Sequence, residues 1–418
     1  MPDKLAIEKK MKATADKIAR QWLKSNKFRP NWITKNMPSK VSVKVSSTTQ
    51  SFMYSEASQK HLLNDTASNQ LVEMSPEEMF EKMKQQDAKK SPEWMYFTSK
   101  CSDLSNEVLE AVPNWELLRS EPELSAAVGN PEAPSIWIGG KGTSTTAHYD
   151  VMDNVFIQMY GRKKFRLWGP EAAKDLHVYP DVHPKARKSQ IENINDILIQ
   201  PREEIILEPG DSLHLPAFTF HQVEALDVSL SINVFSVCRT QMHGGRILST
   251  PVPLIFSETL TTNTNTNNNA SIMTITDASK NLLVVIEKIL PIFGIDTKPS
   301  DYVTQQLLET RHRTLVGSAT NRTSTKKSNE EEDEDEDEEE EDVKDDVATL
   351  DQNKINILSD WWNEMHKDMV ASGNYTSNEM NGVRDIIVSH LLESWALQLN
   401  DGNPENVHNT LEEIARAS

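Results

Sequence analysis

Cysteine and long apolar runs are scarce in this sequence. Its 418 residues include only two cysteines, Cys101 and Cys238, which excludes a disulfide-built scaffold and a cysteine-rich zinc module. No run of about 18 apolar residues occurs, and the N-terminal residues lack the apolar core of a signal peptide, so neither membrane insertion nor secretion is expected. We therefore expect an intracellular protein of the cytoplasm or nucleus, with no membrane partner.

Charge is distributed unevenly along the chain. The net charge is -19, but thirteen negative charges form one unbroken run from Glu330 to Asp342. Residues 1–44 carry twelve Lys or Arg against three Asp or Glu, and residues 5–26 have the pattern of a basic amphipathic helix. A solvated helix and a disordered linker are the ordinary explanations of these extremes, and RNA docking on the basic end is the alternative.

Hydrophobic periodicity divides the chain into five predicted parts. They are a basic helical N-terminal segment (1–40), a β-rich core (41–245), a loop followed by helices (246–316), a disordered acidic linker (317–346) and a small helical module of unknown role (347–418).

The stretch 135–236 is rich in short strand patterns, among them "SIWIGG", "NVFIQMY", "KKFRLW" and "SLSINVFS", separated by Gly, Pro or Asp. Many short strands with turn signals between them predict a barrel or a sandwich. With helices before and after it, the fold class is α+β with a mainly β core. The helix "NLLVVIEKIL" has an apolar face that suits either a homodimer or packing against its own barrel.

A candidate metal site begins with "TTAHYDVMDN". In a strand, residues two apart point to the same face, so His148 and Asp150 would present an imidazole and a carboxylate side by side. The third ligand must come from elsewhere: His221 in "FTFHQV" and His214 in "SLHLP" are the candidates. Two His and one carboxylate with open positions suit a non-haem Fe(II) oxygenase.

His-x-Asp spacing alone is a weak signal, because about one such triplet is expected by chance in a chain of this composition. The spacing recurs at His366 and Asp368. That pair lies in a helical pattern, where residues two apart point about 200° away from each other. We therefore reject it as a metal site.

More than the triplet is present. "TTAHYDVMDNVFIQMYGRKKFRLWGP" is followed by "LEPGDSLHLPAFTFHQV" and "SLSINVF". These stretches resemble the JmjC branch of the cupin-type, 2-oxoglutarate-dependent Fe(II) oxygenases. The resemblance implies a double-stranded β-helix, the jelly-roll barrel of cupins. It also implies Fe(II) bound by His148, Asp150 and His221, with His221 as the histidine five residues after Pro216.

The same resemblance implies a 2-oxoglutarate site, with dioxygen as the further co-substrate and no catalytic residue beyond the metal centre. Lys163 would bind the distal carboxylate of the keto acid, together with the hydroxyls of Thr145 and Tyr96. Asn154 and Asn233 would support the keto-acid end or the metal ligands. The ordinary alternatives are that Lys163 is a turn charge, Thr145 a strand residue and Asn154 a turn former.

The substrate is open at this stage. "HYDVMDN" resembles the tRNA wybutosine-synthesizing hydroxylases of the family, which implies tRNA, whereas "EALDVSLSINVF" is equally similar to relatives that hydroxylate protein side chains. A non-catalytic binding module is the third reading. Candidates for stacking an RNA base or meeting its phosphates, for which core packing is the alternative, are Trp137, Tyr149, Phe218 and Phe220, and Arg162, Lys164, Arg166, Lys185, Arg187 and Lys188.

Overall fold

The computed structural model describes most of the predicted core and helices. Described are residues 27–47, 49, 51–52, 70–85, 93–112, 130–256, 273–313 and 348–417, with the single helical residues Asp16, Arg20 and Lys24. The predicted basic helix over 5–26 lies almost entirely outside these residues, and the acidic linker over 317–346 lies wholly outside them.

The strands are β1 (Val41–Ser46), β2 (Ser51–Phe52), β3 (Gln70–Met74), β4 (Trp94–Lys100), β5 (Asn130–Pro131), β6 (Ser135–Gly139), β7 (Ser144–Thr145), β8 (Asp153–Tyr160), β9 (Lys163–Trp168), β10 (Glu203–Leu207), β11 (Ser212–Leu215), β12 (Phe220–Ala225), β13 (Ser229–Val237), β14 (Leu254–Ile255) and β15 (Thr349–Leu350). They form two main sheets. The larger has the order β11-β8-β13-β6-β4-β1-β3, with β5 also paired to β13, and the smaller has the order β10-β9-β12-β7-β2. All pairs are antiparallel except β2 with β7.

Strand β8 shows how the sequence builds the core. Val155 and Ile157 belong to a large apolar cluster on one face of the larger sheet, and Phe156 belongs to a separate cluster with Phe165 of β9. Alternate residues of a strand point to opposite faces, so both faces of β8 are buried. Asn154 shares the face of Phe156 and therefore points between the sheets. The predicted α+β fold with a mainly β core is confirmed.

Helices make up much of the rest of the described chain. They are α1 (Pro30–Ile33), α2 (Pro76–Gln85), α3 (Asn106–Ala111), α4 (Arg239–Leu248), α5 (Ile275–Ile292), α6 (Pro299–Tyr302), α7 (Gln352–Ser372), α8 (Ser377–Leu399) and α9 (Pro404–Arg416), with a π-helical turn at Val303–Arg311 and 3₁₀ turns at Thr34–Asn36, Cys101–Asp103, Pro170–Ala173 and Ile194–Asp196. None of the helices in the described ranges is long and apolar enough to cross a bilayer.

The chain divides into two compact units. The first, the barrel unit, comprises residues 1–247 and 361–387, and the second comprises 248–360 and 388–418. The five-part division expected from the sequence remains a prediction. In this structure, however, residues 361–387, from the expected C-terminal module, are grouped with the barrel.

The second unit buries the apolar face of α5. Leu282, Val285 and Ile289 are fully buried, and α5 packs against α9. The face that suited a homodimer is therefore covered within the chain, and the structure gives no support to a dimer through it. A buried ion pair lies in the same unit: Arg311 Nε and the Glu393 carboxylate are 2.6 Å apart.

Candidate metal centre

His148 and His221 are paired through their main chains. The His148 amide donates to the His221 carbonyl at 3.0 Å, and the His221 amide donates to the His148 carbonyl at 2.8 Å. The ring centroids lie 4.2 Å apart. His148 and Asp150 lie between β7 and β8, not within a regular strand, and the Phe218 amide holds this segment by donating to the Asp150 carbonyl at 2.7 Å.

Main-chain carbonyls orient both imidazoles. His148 Nδ1 lies 2.7 Å from the Thr146 carbonyl oxygen, and His221 Nδ1 lies 3.1 Å from the Thr219 carbonyl oxygen. A carbonyl only accepts, so each Nδ1 carries a hydrogen, and in a neutral imidazole Nε2 then keeps its lone pair. Burial, reinforced by the neighbouring His221, holds the pKa of His148 well below its usual value, so this imidazole is neutral.

The donor atoms of His148, Asp150 and His221 converge. One ligand atom from each lies within 4.8 Å of the other two, and His221 Nε2 is 3.7 Å from Asp150 Oδ2. Donors on one face of an octahedral ion lie about 3 Å apart. A small inward movement would therefore place two imidazole nitrogens and one carboxylate oxygen on a common ion, and this donor set fits Fe(II).

His214, the rival third ligand, lies elsewhere. It sits on β11 opposite Val155, it does not line the cavity around His148, and within the described residues it belongs to no cluster of metal-ligating groups. Burial lowers its pKa to about 4. The structure thus brings His221, and not His214, to His148 and Asp150.

The three side chains open into a cavity of about 280 Å³. Lys163 is in its wall and is 2% exposed. Its Nζ donates to Ser231 Oγ at 2.7 Å and to the Trp137 carbonyl at 3.3 Å. Burial lowers the pKa of Lys163 to about 7, because an apolar environment disfavours the charged ammonium.

The other residues expected at the keto-acid site also line this cavity. Asn233 Nδ2 donates to Asn154 Oδ1 at 3.0 Å. Thr145 Oγ1 accepts a hydrogen bond of 3.0 Å from the Val223 amide. Tyr96 stacks on Phe52 with ring centroids 5.6 Å apart. The structure therefore gathers every site residue expected from the sequence around one cavity.

Several residues of the cavity wall are not among those expected from the sequence. Val223, Phe235, Phe156 and Phe165 line it. Each lies two residues after an expected site residue on the same strand, so strand alternation carries the signal that would have identified them. Thr146 is another omission, and its contribution to His148 is a main-chain carbonyl that no side-chain motif encodes.

Most candidates for RNA contact have other roles. Tyr149, Phe218 and Phe220 are at most 2% exposed, and Tyr149 stacks on Phe218 with centroids 5.8 Å apart, so these three rings are packed in the core. Tyr149 also lines the cavity. Trp137 lines the cavity.

The basic candidates divide into two groups. Arg162 pairs with Asp227 at 2.7 Å, and Lys164 and Arg166 both pair with Glu204, at 2.7 and 2.8 Å. Lys185 lies 3.9 Å from the Glu192 carboxylate. Arg187 and Lys188, in contrast, line the cavity. The second group therefore places positive charge in the wall of the candidate site.

Comparison with known proteins places the chain in a family. A family model described as "Cupin-like domain" matches residues 12–236, which is more than half of the chain. The chain is 39% identical over 106 residues to tRNA wybutosine-synthesizing protein 5 of Danio rerio, covering 23% of this chain and 31% of that protein. It is 33% identical over 106 residues to lysine-specific demethylase 8 of the same organism, covering 23% and 25%.

A longer match is to JmjC domain-containing protein D of Dictyostelium discoideum, 28% identical over 204 residues, which covers 41% of this chain and 45% of that protein. The chain thus spans less than half the length of each of these relatives. The X-ray structure of E. coli ycfD is 15% identical, with a TM-score of 0.30 and coverage of 59% of this chain and 53% of that one, and a likeness at this level adds nothing to the assignment. On the family match, and with JmjC proteins among its relatives, the chain belongs to the JmjC-type cupin-like family, which includes oxygenases.

Proposed function

We propose that the protein is an Fe(II)- and 2-oxoglutarate-dependent hydroxylase. One observation carries the proposal: a cluster of two imidazoles and a carboxylate shares a cavity of about 280 Å³ with a buried lysine. The family supports the assignment because it includes oxygenases.

His148, Asp150 and His221 would hold the iron. When bound at such a centre, iron and 2-oxoglutarate together supply the oxidising chemistry that lets dioxygen hydroxylate an unactivated carbon. The Thr146 and Thr219 carbonyls keep the Nε2 atoms of both imidazoles facing the carboxylate. This arrangement stabilises the metal-binding tautomer before any ion arrives.

Lys163 would hold the distal carboxylate of 2-oxoglutarate. Within the described part of the chain its hydrogen bonds go to a hydroxyl and a carbonyl, and no carboxylate pairs with it. A buried ammonium is stabilised when an anion reaches it, since charge-assisted hydrogen bonds are about twice as strong as neutral ones. The keto acid would supply that anion.

The remaining polar residues would orient the co-substrate. Thr145 and Tyr96 would add hydroxyls at the distal carboxylate, and Asn154 and Asn233 would support the keto-acid end. The Trp137 indole donates to Asn233 Oδ1 at 2.5 Å. Together with the hydrogen bond from Asn233 Nδ2 to Asn154 Oδ1, it fixes the orientation of the Asn233 side-chain amide.

The substrate we propose is the wybutosine-type modified guanosine of phenylalanine tRNA. This substrate is supported by the 39% identical stretch shared with tRNA wybutosine-synthesizing protein 5 of Danio rerio. It is also supported by Arg187 and Lys188, which line the cavity and whose charge suits a phosphate. A tRNA substrate implies an intracellular location, in the cytoplasm or nucleus. The alternative is a protein side chain, supported by the 33% identical demethylase. A non-catalytic binding module is the third candidate.

Succinate release from 2-oxoglutarate by the Fe(II)-loaded protein tests the proposal. The substrates to compare are phenylalanine tRNA bearing the wybutosine precursor, the same tRNA unmodified, and a peptide pool, with His148→Ala as the inactive control. Turnover stimulated only by the modified tRNA is the expected result. Stimulation by peptides alone would move the protein to the side-chain hydroxylases, and bound iron without turnover on any substrate would favour the binding module.

A further inference from the structure

A short loop, residues 216–219, leads from β11 to the metal-ligating strand β12. Its Phe218 has a positive φ of 64°, which is unusual for a bulky residue. The Phe218 amide donates to the Asp150 carbonyl, and the Thr219 carbonyl accepts from His221 Nδ1. This 216–219 loop therefore contacts the segments of two of the three candidate ligands.

The amide and the carbonyl of Ala217 bond to parts of the chain that are far apart in sequence. The Ala217 amide donates to Asp153 Oδ1 at 2.9 Å. The Ala217 carbonyl accepts instead from the hydroxyl of Tyr375, at 3.2 Å, across 158 residues of sequence. Tyr375 is buried, and the Thr240 side chain lies beside its hydroxyl. Because Ala217 and Tyr375 are both shielded, water does not readily replace this bond.

The segment that carries Tyr375 is itself fixed to the barrel. Glu379 pairs with Arg202 and accepts from the Thr376 amide at 2.7 Å. Gly382 packs so closely on the 169–171 turn that a Cβ added there would lie 2.2 Å from the Glu171 amide nitrogen. The start of α8 therefore docks at defined points, and the position of the Tyr375 hydroxyl follows from that docking.

We infer that Tyr375 is a positioning residue of the metal centre: from the C-terminal segment it holds the Ala217 carbonyl, and through the 216–219 loop it sets the approach of Asp150 and His221. The inference rests on the proposed function, because it presupposes that these side chains bind a metal. It extends the site to residues 361–387, which lie outside the 12–236 match to the family model.

Co(II) titration of the full-length protein tests the inference, with binding followed by calorimetry and by the visible ligand-field bands. Tyr375→Phe removes one hydroxyl. Its matched control, Tyr160→Phe, makes the same change on β8, away from the cavity lining. We expect Tyr375→Phe to weaken Co(II) binding about three- to tenfold, at or below the range measured for outer-shell partners, and to shift the ligand-field bands. Tyr160→Phe should do neither.

Two further measurements separate positioning from folding. Amide hydrogen exchange at Phe218 and His221 should accelerate in Tyr375→Phe. Thr240→Val, which keeps Tyr375 but removes the hydroxyl beside it, should give a smaller effect of the same sign. If both variants bind Co(II) with wild-type affinity and bands, the inference is overturned and the proposed function stands. A wild-type chain that binds no Co(II) overturns the metal centre itself.

Discussion

His148 and His221 exchange two main-chain hydrogen bonds, of 3.0 and 2.8 Å, at the start of strand β12. The two ligands are thereby joined as a backbone unit before their side chains meet any ion. Asp150 is attached to the same unit, since its carbonyl accepts from the Phe218 amide. Replacing one of these side chains should remove a donor without dismantling the surrounding backbone.

The first prediction concerns the identity of the third ligand. His221→Ala should weaken Fe(II) or Co(II) binding by more than about 100-fold and should abolish succinate release. The loss should be this large because removal of a residue that only supports a ligand can already cost up to about 100-fold in metal affinity. The control is His214→Leu, which replaces a half-buried histidine that does not line the cavity. Metal titration that assigned the loss to His214 instead would contradict the site.

The second prediction is a pH dependence of 2-oxoglutarate binding. Burial lowers the pKa of Lys163 to about 7, so in the free protein its ammonium is present below pH 7 and is lost as the pH rises through 7. The dicarboxylate binds the charged form. The KM for 2-oxoglutarate should therefore be lowest below pH 7 and should rise by up to about tenfold per pH unit above it, for as long as Lys163 stays charged in the complex.

Lys163→Met should remove this dependence while leaving metal binding intact, and Lys164→Met is the matched control, because Lys164 pairs with Glu204 at 2.7 Å and does not line the cavity. A flat KM profile in the wild type would exclude Lys163 as the residue that holds the distal carboxylate.

The third prediction concerns the buried pair in the second unit. Burial raises the pKa of Glu393, but the Arg311 charge and its hydrogen bonds outweigh burial and hold the pKa below its usual value. Glu393→Leu removes the carboxylate that Arg311 contacts in this buried position and should lower the free energy of unfolding by about 3–5 kcal/mol. Adding Arg311→Leu should restore part of the loss, and denaturant unfolding measures both changes.

The pH dependence of this pair has a defined sign. The stabilisation is complete above about pH 4.3, the value of an unperturbed Glu, and is lost as the pH falls through the lower folded-state value. Asp227→Asn, which breaks the exposed pair with Arg162, should change stability far less.

The fourth prediction compares two helical glycines of the barrel unit. A Cβ added at Gly382 would meet the Glu171 backbone at 2.2 Å, whereas one added at Gly245 meets nothing within 4 Å. Gly245→Ala should raise the melting temperature, because Ala is favoured over Gly in a helix by about 0.5–1 kcal/mol. Gly382→Ala should lower it. Equal gains for both variants would show that α8 does not pack closely on residues 169–171.

Strand alternation and motif spacing predicted the barrel because both patterns are formed by residues close together in the sequence. Lys163 and Asn154 each face the cavity from a strand whose neighbours alternate correctly, and the helical pattern around His366 was enough to reject it. The bond from Tyr375 to Ala217 left no such signal, since it joins positions 158 residues apart. Likewise, Phe218 has a positive φ, but phenylalanine is not a residue type that predicts a turn. Long-range packing and unusual backbone conformation account for what was missed.

The atoms that orient the two imidazoles are carbonyl oxygens of the main chain. Any amino acid at positions 146 and 219 supplies such an oxygen, so substitutions at these positions can preserve the orientation of the histidines. The surrounding cavity wall is built from side chains such as Phe235 and Val223, so a substitution at these positions changes the shape of the cavity. A chain of this design can therefore acquire a new substrate by evolution of the wall while the ligand face stays as it is.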